Sequence, residues 1–164
     1  MMHLFKKITQ PVVLNWHSDL LLSIPRIVCG YLLTTDFGSD KFGMPWSDPD
    51  KNLQFFEVVF WFPEDVASYG GIFALFPNFF AWMAAFSEAV GGLLLVVGFQ
   101  TRIAGALLVA TMLGAIFLQQ IQSGLWNTLP PLGFLWVGLF ALTLGSGRFG
   151  IDYFISKKMN HAKK

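Results

Sequence analysis

The stretch from Ser87 to Arg102 puts one ionisable side chain, Glu88, inside an apolar run that ends in Gly98-Phe99-Gln100-Thr101-Arg102. Such a run is a membrane helix carrying a charge. A carboxylate in hydrocarbon is tolerated when it is paired, protonated or turned toward a protein-lined cavity, so Glu88 is a functional-site candidate by position alone. The composition agrees with lipid as the solvent. Charged residues make up 13% of the chain, about half of what a soluble domain carries. A soluble helical bundle is the weaker alternative, because the apolar stretches are too long and too uniform.

Four stretches are long enough to cross a bilayer core of about 30 Å: about 18–37, 72–98, 103–121 and 130–145. The expected fold is an all-α membrane protein, a single-domain four-transmembrane-helix bundle over residues 1–164. The first span is interrupted by Pro25 and Arg26. Pro77 stands near the start of the second, where proline is tolerated. Pro130 and Pro131 are expected to open the fourth, and Gly145-Ser146-Gly147-Arg148 to close it ahead of a basic tail.

Residues 38–71 differ in kind. The stretch from Asp36 to Asp65 holds seven acids against Lys41 and Lys51. Within it Leu53–Phe62 is too short to span and too apolar for a free loop, which predicts a short interfacial helix ended by Pro63. Four spans place both termini on one side, with Lys6, Lys7, Arg102, Arg148, Lys157, Lys158, Lys163 and Lys164, against Lys41 and Lys51 opposite. The positive-inside rule then makes both termini cytoplasmic. No charged-then-apolar leader ending in a cleavage site is visible, so the N-terminus is expected to be retained. The single cysteine, Cys29, excludes an intrachain disulfide.

Counting in from the cytoplasmic ends, Arg26 lies eight residues past Ser18 and Glu88 ten residues before Gly98. At about 1.5 Å per residue both sit roughly 12–15 Å deep, on helices expected to be neighbours. The spacing therefore predicts an Arg26–Glu88 pair, with Gly91 and Gly92 allowing close helix approach. Two readings of the pair stay open: an architectural ion pair, or a site that handles protons or a ligand. The aromatics Phe37, Phe42, Trp46, Phe55, Phe56, Phe60, Trp61 and Phe62 are read first as interfacial anchors, and second as walls for a flat apolar ring such as a quinone. His3, His17 and His161 have no metal-ligand spacing, and no metal is expected. No nucleotide loop, nucleophile triad or nucleic-acid patch is present.

Taken together, Arg26-x-x-x-Gly30, Gly38-x-x-Lys41, Glu88-x-x-Gly91-Gly92, Gly98-x-x-Thr101-Arg102, Met112 and Gly145-Ser146-Gly147-Arg148-x-Gly150-Ile151-Asp152 resemble the DoxX family of small four-helix bacterial membrane proteins. The resemblance covers essentially the whole chain, and residues 46–71 are longer than in a minimal member. It implies the bacterial inner membrane and picks out Arg26, Lys41, Glu88, Thr101, Arg102 and Asp152. The family takes its name from a subunit of a thiosulfate:quinone oxidoreductase, and other members are membrane partners in redox complexes.

The expectation is therefore a quinone-interacting subunit of a redox complex. Glu88 would be the proton-handling carboxylate and Arg26 its charge partner, and Lys41, Trp46, Trp61 and Arg102 would bind the quinone. The alternative is a non-enzymatic docking or assembly protein for another membrane or periplasmic protein. A small-solute transporter is a third and thinner reading, since no internal duplication is evident.

Overall fold

The computed structural model describes residues 8–120 and 124–161; the side chains of Gln120 and His161 are excepted. His3, Lys6, Lys7, Lys163 and Lys164, all used above, lie outside the described residues, as does residue 121 at the end of the expected third span. Helix α1 is Trp16–Leu32, capped by the Asn15 side chain, which accepts from the Ser18 amide at 2.8 Å, and it runs on through a π-helical turn, Leu33–Gly38. After an irregular outer segment come two short helices, α2 at Trp61–Ser68 and α3 at Gly71–Leu75. Helix α4, Pro77–Val97, contains a π-helical stretch at Ser87–Gly91. Helix α5, Thr101–Gly114, ends in a third π-helical stretch, Ala115–Gln120. Helix α6 is Leu125–Leu144 and α7 is Ile151–His161.

Trp16–Gly38, Pro77–Val97, Thr101–Gln119 and Leu125–Leu144 are long and apolar enough to cross a membrane. The chain is thus an all-α multi-pass membrane protein with a short helix between its first and second spans. Much of its apolar surface is exposed around the bundle, Leu21, Phe79, Phe117 and Trp136 among it, as a lipid-facing surface requires.

Three boundaries differ from the sequence expectation. Residues 53–60 form no helix: Phe42 and Val58 pair as an isolated antiparallel bridge, and Leu53, Val58 and Val59 pack into the outer cluster while Phe55, Phe56 and Phe60 stay exposed. The short helix starts at Trp61, and Pro63 falls in its first turn, where its missing N–H has no intrahelical partner to lose. The fourth span opens at Leu125 and contains Pro130 and Pro131. Those prolines cost only bonds to carbonyls in the first, solvent- or headgroup-facing turn, next to an exposed Trp126. The expected basic tail is in part a helix, α7.

Two apolar clusters divide the molecule. Leu33, Leu95, Ala104, Leu108, Met112, Phe134 and Ala141 form the centre of the four-span bundle. Phe42, Val59, Phe62, Val66, Ala81, Ala85 and Ala89 join the outer segment to the upper half of α4, and the Trp82 indole donates to the Phe56 carbonyl at 3.2 Å across that seam.

Candidate functional site

Glu88 sits near the middle of α4, in its π-helical stretch, with its side chain 7% exposed. Its partner is Lys41, whose Nζ lies 2.7 Å from Glu88 Oε2 and whose side chain is 20% exposed. Local sequence explains how Lys41 arrives there. A Cβ on Gly38 would come within 2.5 Å of the Ala89 backbone, so only glycine lets the end of the first span lie directly on the Glu88 turn. The chain then folds sharply, Lys41 and Phe42 both donating their amides to the Gly38 carbonyl, and this turns Lys41 back over α4. The Lys41 ammonium also stands 5.3 Å from the centre of the Phe62 ring and 6.0 Å from that of Phe37, a geometry in which the ring faces attract the cation. A wide π turn leaves carbonyls out of the usual ladder; Thr34 donates its hydroxyl to one of them, the Ala89 carbonyl, at 3.2 Å.

The Lys41–Glu88 pair forms part of the wall of a half-open cavity of about 370 Å³. Phe62, Val66, Phe73 and Phe80 from α2, α3 and α4 make one apolar side, and the face of α5 from Leu107 to Leu118, including its π-helical end, makes the other. Besides the ion pair the polar lining is Tyr69, Thr111 and Gln119. Burial, and after it the nearby Asp65 carboxylate, pushes the Tyr69 phenol above its usual range, which keeps it a protonated hydrogen-bond donor. An apolar pocket with a few converging polar groups is the ordinary build of a small-ligand site.

Arg26 is elsewhere, and the Arg26–Glu88 pair predicted from depth does not form. The Arg26 guanidinium donates through Nη1 to the Leu95 carbonyl and through Nη2 to the Phe149 carbonyl at 2.7 Å. The register between α1 and α4 shows why. Gly30 packs on the Gly92 carbonyl, Gly92 on Thr34, and Gly98 on Arg26. Arg26 is therefore level with Gly98, about ten residues or 15 Å along the axis from Glu88. The sequence count assumed that the first helix starts level with Gly98; instead its first three turns overhang that end and pack on the residues following α6. There Asp19 pairs with Arg148 at 2.9 Å, and Asp152 accepts from the Gln100 and Thr101 amides at 2.9 Å each. Asp152 thus caps α5 from a distant part of the chain.

Of the other expected site residues, Lys41 is brought to Glu88 and the rest are not. Arg102 donates to the Leu142 carbonyl at 3.0 Å and to Gln10 at 3.4 Å, on the termini side. Trp46 lies in the outer loop, and Trp61 opens α2 against Phe62; neither lines the cavity. Sequence reasoning missed Tyr69, Phe80 and Thr111. The available signal for Tyr69 was its position seven residues after Phe62, on the same helical face. His17 belongs to no metal-holding group, and none occurs among the described residues.

The DoxX family model matches residues 21–120, a segment that contains Arg26, Lys41, Glu88 and the whole cavity lining. No curated protein and no solved structure matches the chain.

Proposed function

The chain belongs to the DoxX family, and from that premise we propose that it is a quinone-interacting membrane subunit of a redox complex in the bacterial cytoplasmic membrane, with both termini cytoplasmic. The observation that carries the reading is the Lys41–Glu88 pair on the wall of an apolar cavity among membrane-spanning helices. The residues present suit such a group. Phe62, Phe73 and Phe80 offer ring faces and edges to a flat apolar head, while the Lys41 ammonium and the Tyr69 hydroxyl supply donors for carbonyl oxygens. The half-open side leaves room for an apolar tail to run out toward lipid.

Bound quinone supplies two-electron, two-proton chemistry, with the electrons drawn from a partner protein. The chain's own part is to bind the head, exclude water from it and manage a proton. Lys41 holds the head and offsets the Glu88 charge. Glu88 is the ionisable carboxylate on the cavity wall, and so the group placed to exchange a proton there. Arg26 takes no part in this scheme.

The decisive experiment is to extract the gently purified protein with organic solvent and measure quinone per mole of protein, beside Glu88→Gln and Lys41→Met variants. Near-stoichiometric quinone that falls in both variants is expected. Quinone no higher than the co-purified lipid background would remove the reading. A docking or assembly role is the second reading, favoured by the 82% exposure of Phe60 at the edge of the outer segment. Under it, a protein partner co-purifies and is lost when residues 46–60 are replaced by a short linker.

A further inference from the structure

A second cavity, of about 320 Å³, lies at the opposite end of the molecule between α7 and the N-terminal segment around Gln10 to Val13. Tyr153, Ser156, Lys157 and Asn160 contribute to it from α7, an i, i+3, i+4, i+7 set that forms one continuous helical face. Among the described residues its polar lining is thus one cation with hydroxyl and amide groups, and no acid. Neither Lys157 nor Lys158 has an ion-pair partner among the described residues. The one acid on α7, Asp152, is fully buried and committed to the Gln100 and Thr101 amides.

On its outward side the same helix exposes Ile151 and Phe154, the latter 66% accessible, with Lys158 one turn further on. An exposed ring flanked by lysines, directly after the last span, is the pattern of a helix lying in the membrane interface with its apolar side chains toward the acyl chains. That orientation brings the Lys157 groove to headgroup level. The one cation among neutral donors in the described lining matches a singly charged phosphodiester rather than a polyphosphate.

We propose that this groove binds the headgroup phosphate of an anionic phospholipid of the phosphatidylglycerol type, in the leaflet on the side of the chain's termini. The apolar outer face of α7, Pro11 and Val13 make a lipid, rather than free phosphate, the occupant. The site is independent of the quinone reading and uses none of its residues.

The test is native mass spectrometry of the full-length, delipidated protein in neutral detergent, titrated with dioleoyl phosphatidylglycerol or dioleoyl phosphatidylcholine. A lysine at a membrane surface contributes enough attraction to favour the anionic lipid about fivefold. Lys157→Gln is expected to bring phosphatidylglycerol binding down to the phosphatidylcholine level, and Asn160→Asp, which puts a like charge into the groove, to do the same. Lys158→Gln is expected to lower it less, and Lys51→Gln, in the outer segment, not to change it. Equal binding of the two lipids, or full preference surviving in Lys157→Gln, would overturn the proposal. So would displacement of the lipid by inorganic phosphate as readily as by glycerophosphoglycerol, which would make the groove a free-anion site.

Discussion

Arg26 and Glu88 are both buried charges in adjacent membrane helices, yet their surroundings differ in kind. Arg26 is held by two backbone carbonyls from distant parts of the chain, and its neighbourhood is closed by glycine contacts at Gly98 and Gly150 tighter than any side chain would permit. Glu88 has one partner, Lys41, on a flexible four-carbon stem, and the space beside the pair is open. Two fixed backbone acceptors, with Nε alone left without a hydrogen-bond partner, fit a structural tie. A single side-chain partner beside a cavity leaves acceptor and donor capacity for something else. Burial of a charge marks both places equally; only the partner and the adjoining space separate them.

The comparison can be broken at either end. The largest effect is expected for Arg26→Leu, which strands the Leu95 and Phe149 carbonyls and leaves Asp152 without its nearby cation. Losing one member of a buried charge network costs about 3–5 kcal/mol, read as a collapse of the detergent unfolding midpoint or of folded yield. Arg26→Lys should recover only part of it, because one ammonium cannot reproduce a two-pronged fork; complete recovery would show that charge alone matters there. Next comes Asp152→Ala, which removes the cap of α5 and should cost about 1–2 kcal/mol. Its stability loss should appear without change in ligand content.

At the other end, stability and binding should separate. Glu88→Gln keeps the shape and a hydrogen bond to Lys41, so unfolding should shift by about 1 kcal/mol or less, while bound quinone is lost. If Glu88→Gln unfolds the protein as Arg26→Leu does, the two sites are of one kind and the contrast fails. The smallest stability effect is expected for Gly114→Leu. A Cβ at Gly114 meets nothing within 4 Å, and the added side chain projects from a residue that lines the cavity. Replacing a helical glycine is neutral or favourable by up to about 1 kcal/mol, so the variant should melt at or slightly above the parent while its quinone content falls.

Much of this was legible in the sequence, and the failures have physical causes. The four spans follow from apolar length, and the two buried charges from their rarity in hydrocarbon. Their pairing was misjudged because depth was counted from the ends of apolar segments, whereas register is set by where small residues let backbones touch. Gly30 against Gly92 and Gly98 against Arg26 fix α1 about eight residues, or 12 Å, away from the assumed alignment. The stretch Leu53–Phe60 carries helix-like apolarity because Leu53, Val58 and Val59 pack into the outer cluster while Phe55, Phe56 and Phe60 lie on its surface, and apolar content alone does not separate such a loop from an interfacial helix. Lys41 was singled out through the family resemblance alone; that it reaches Glu88 depends on Gly38, whose missing side chain admits the turn. Thr111 was not legible, because nothing local marks a residue whose role is to face a cavity built by other helices, and Tyr69 was marked only by its spacing from Phe62.

All three π-helical stretches, Leu33–Gly38, Ser87–Gly91 and Ala115–Gln120, occur in spans that meet at or beside the cavity. Each amounts to one residue inserted into a regular helix, and an insertion rotates everything beyond it by about 100°. Among relatives, deletion of a single residue in any of these stretches would therefore leave the span count intact while turning the cavity-lining faces away from one another. Ancestry and pocket can part company in this fold by a change of one codon, and a relative with the same four helices but a gap at residues 87–91 is expected to have kept the membrane architecture and lost the ligand.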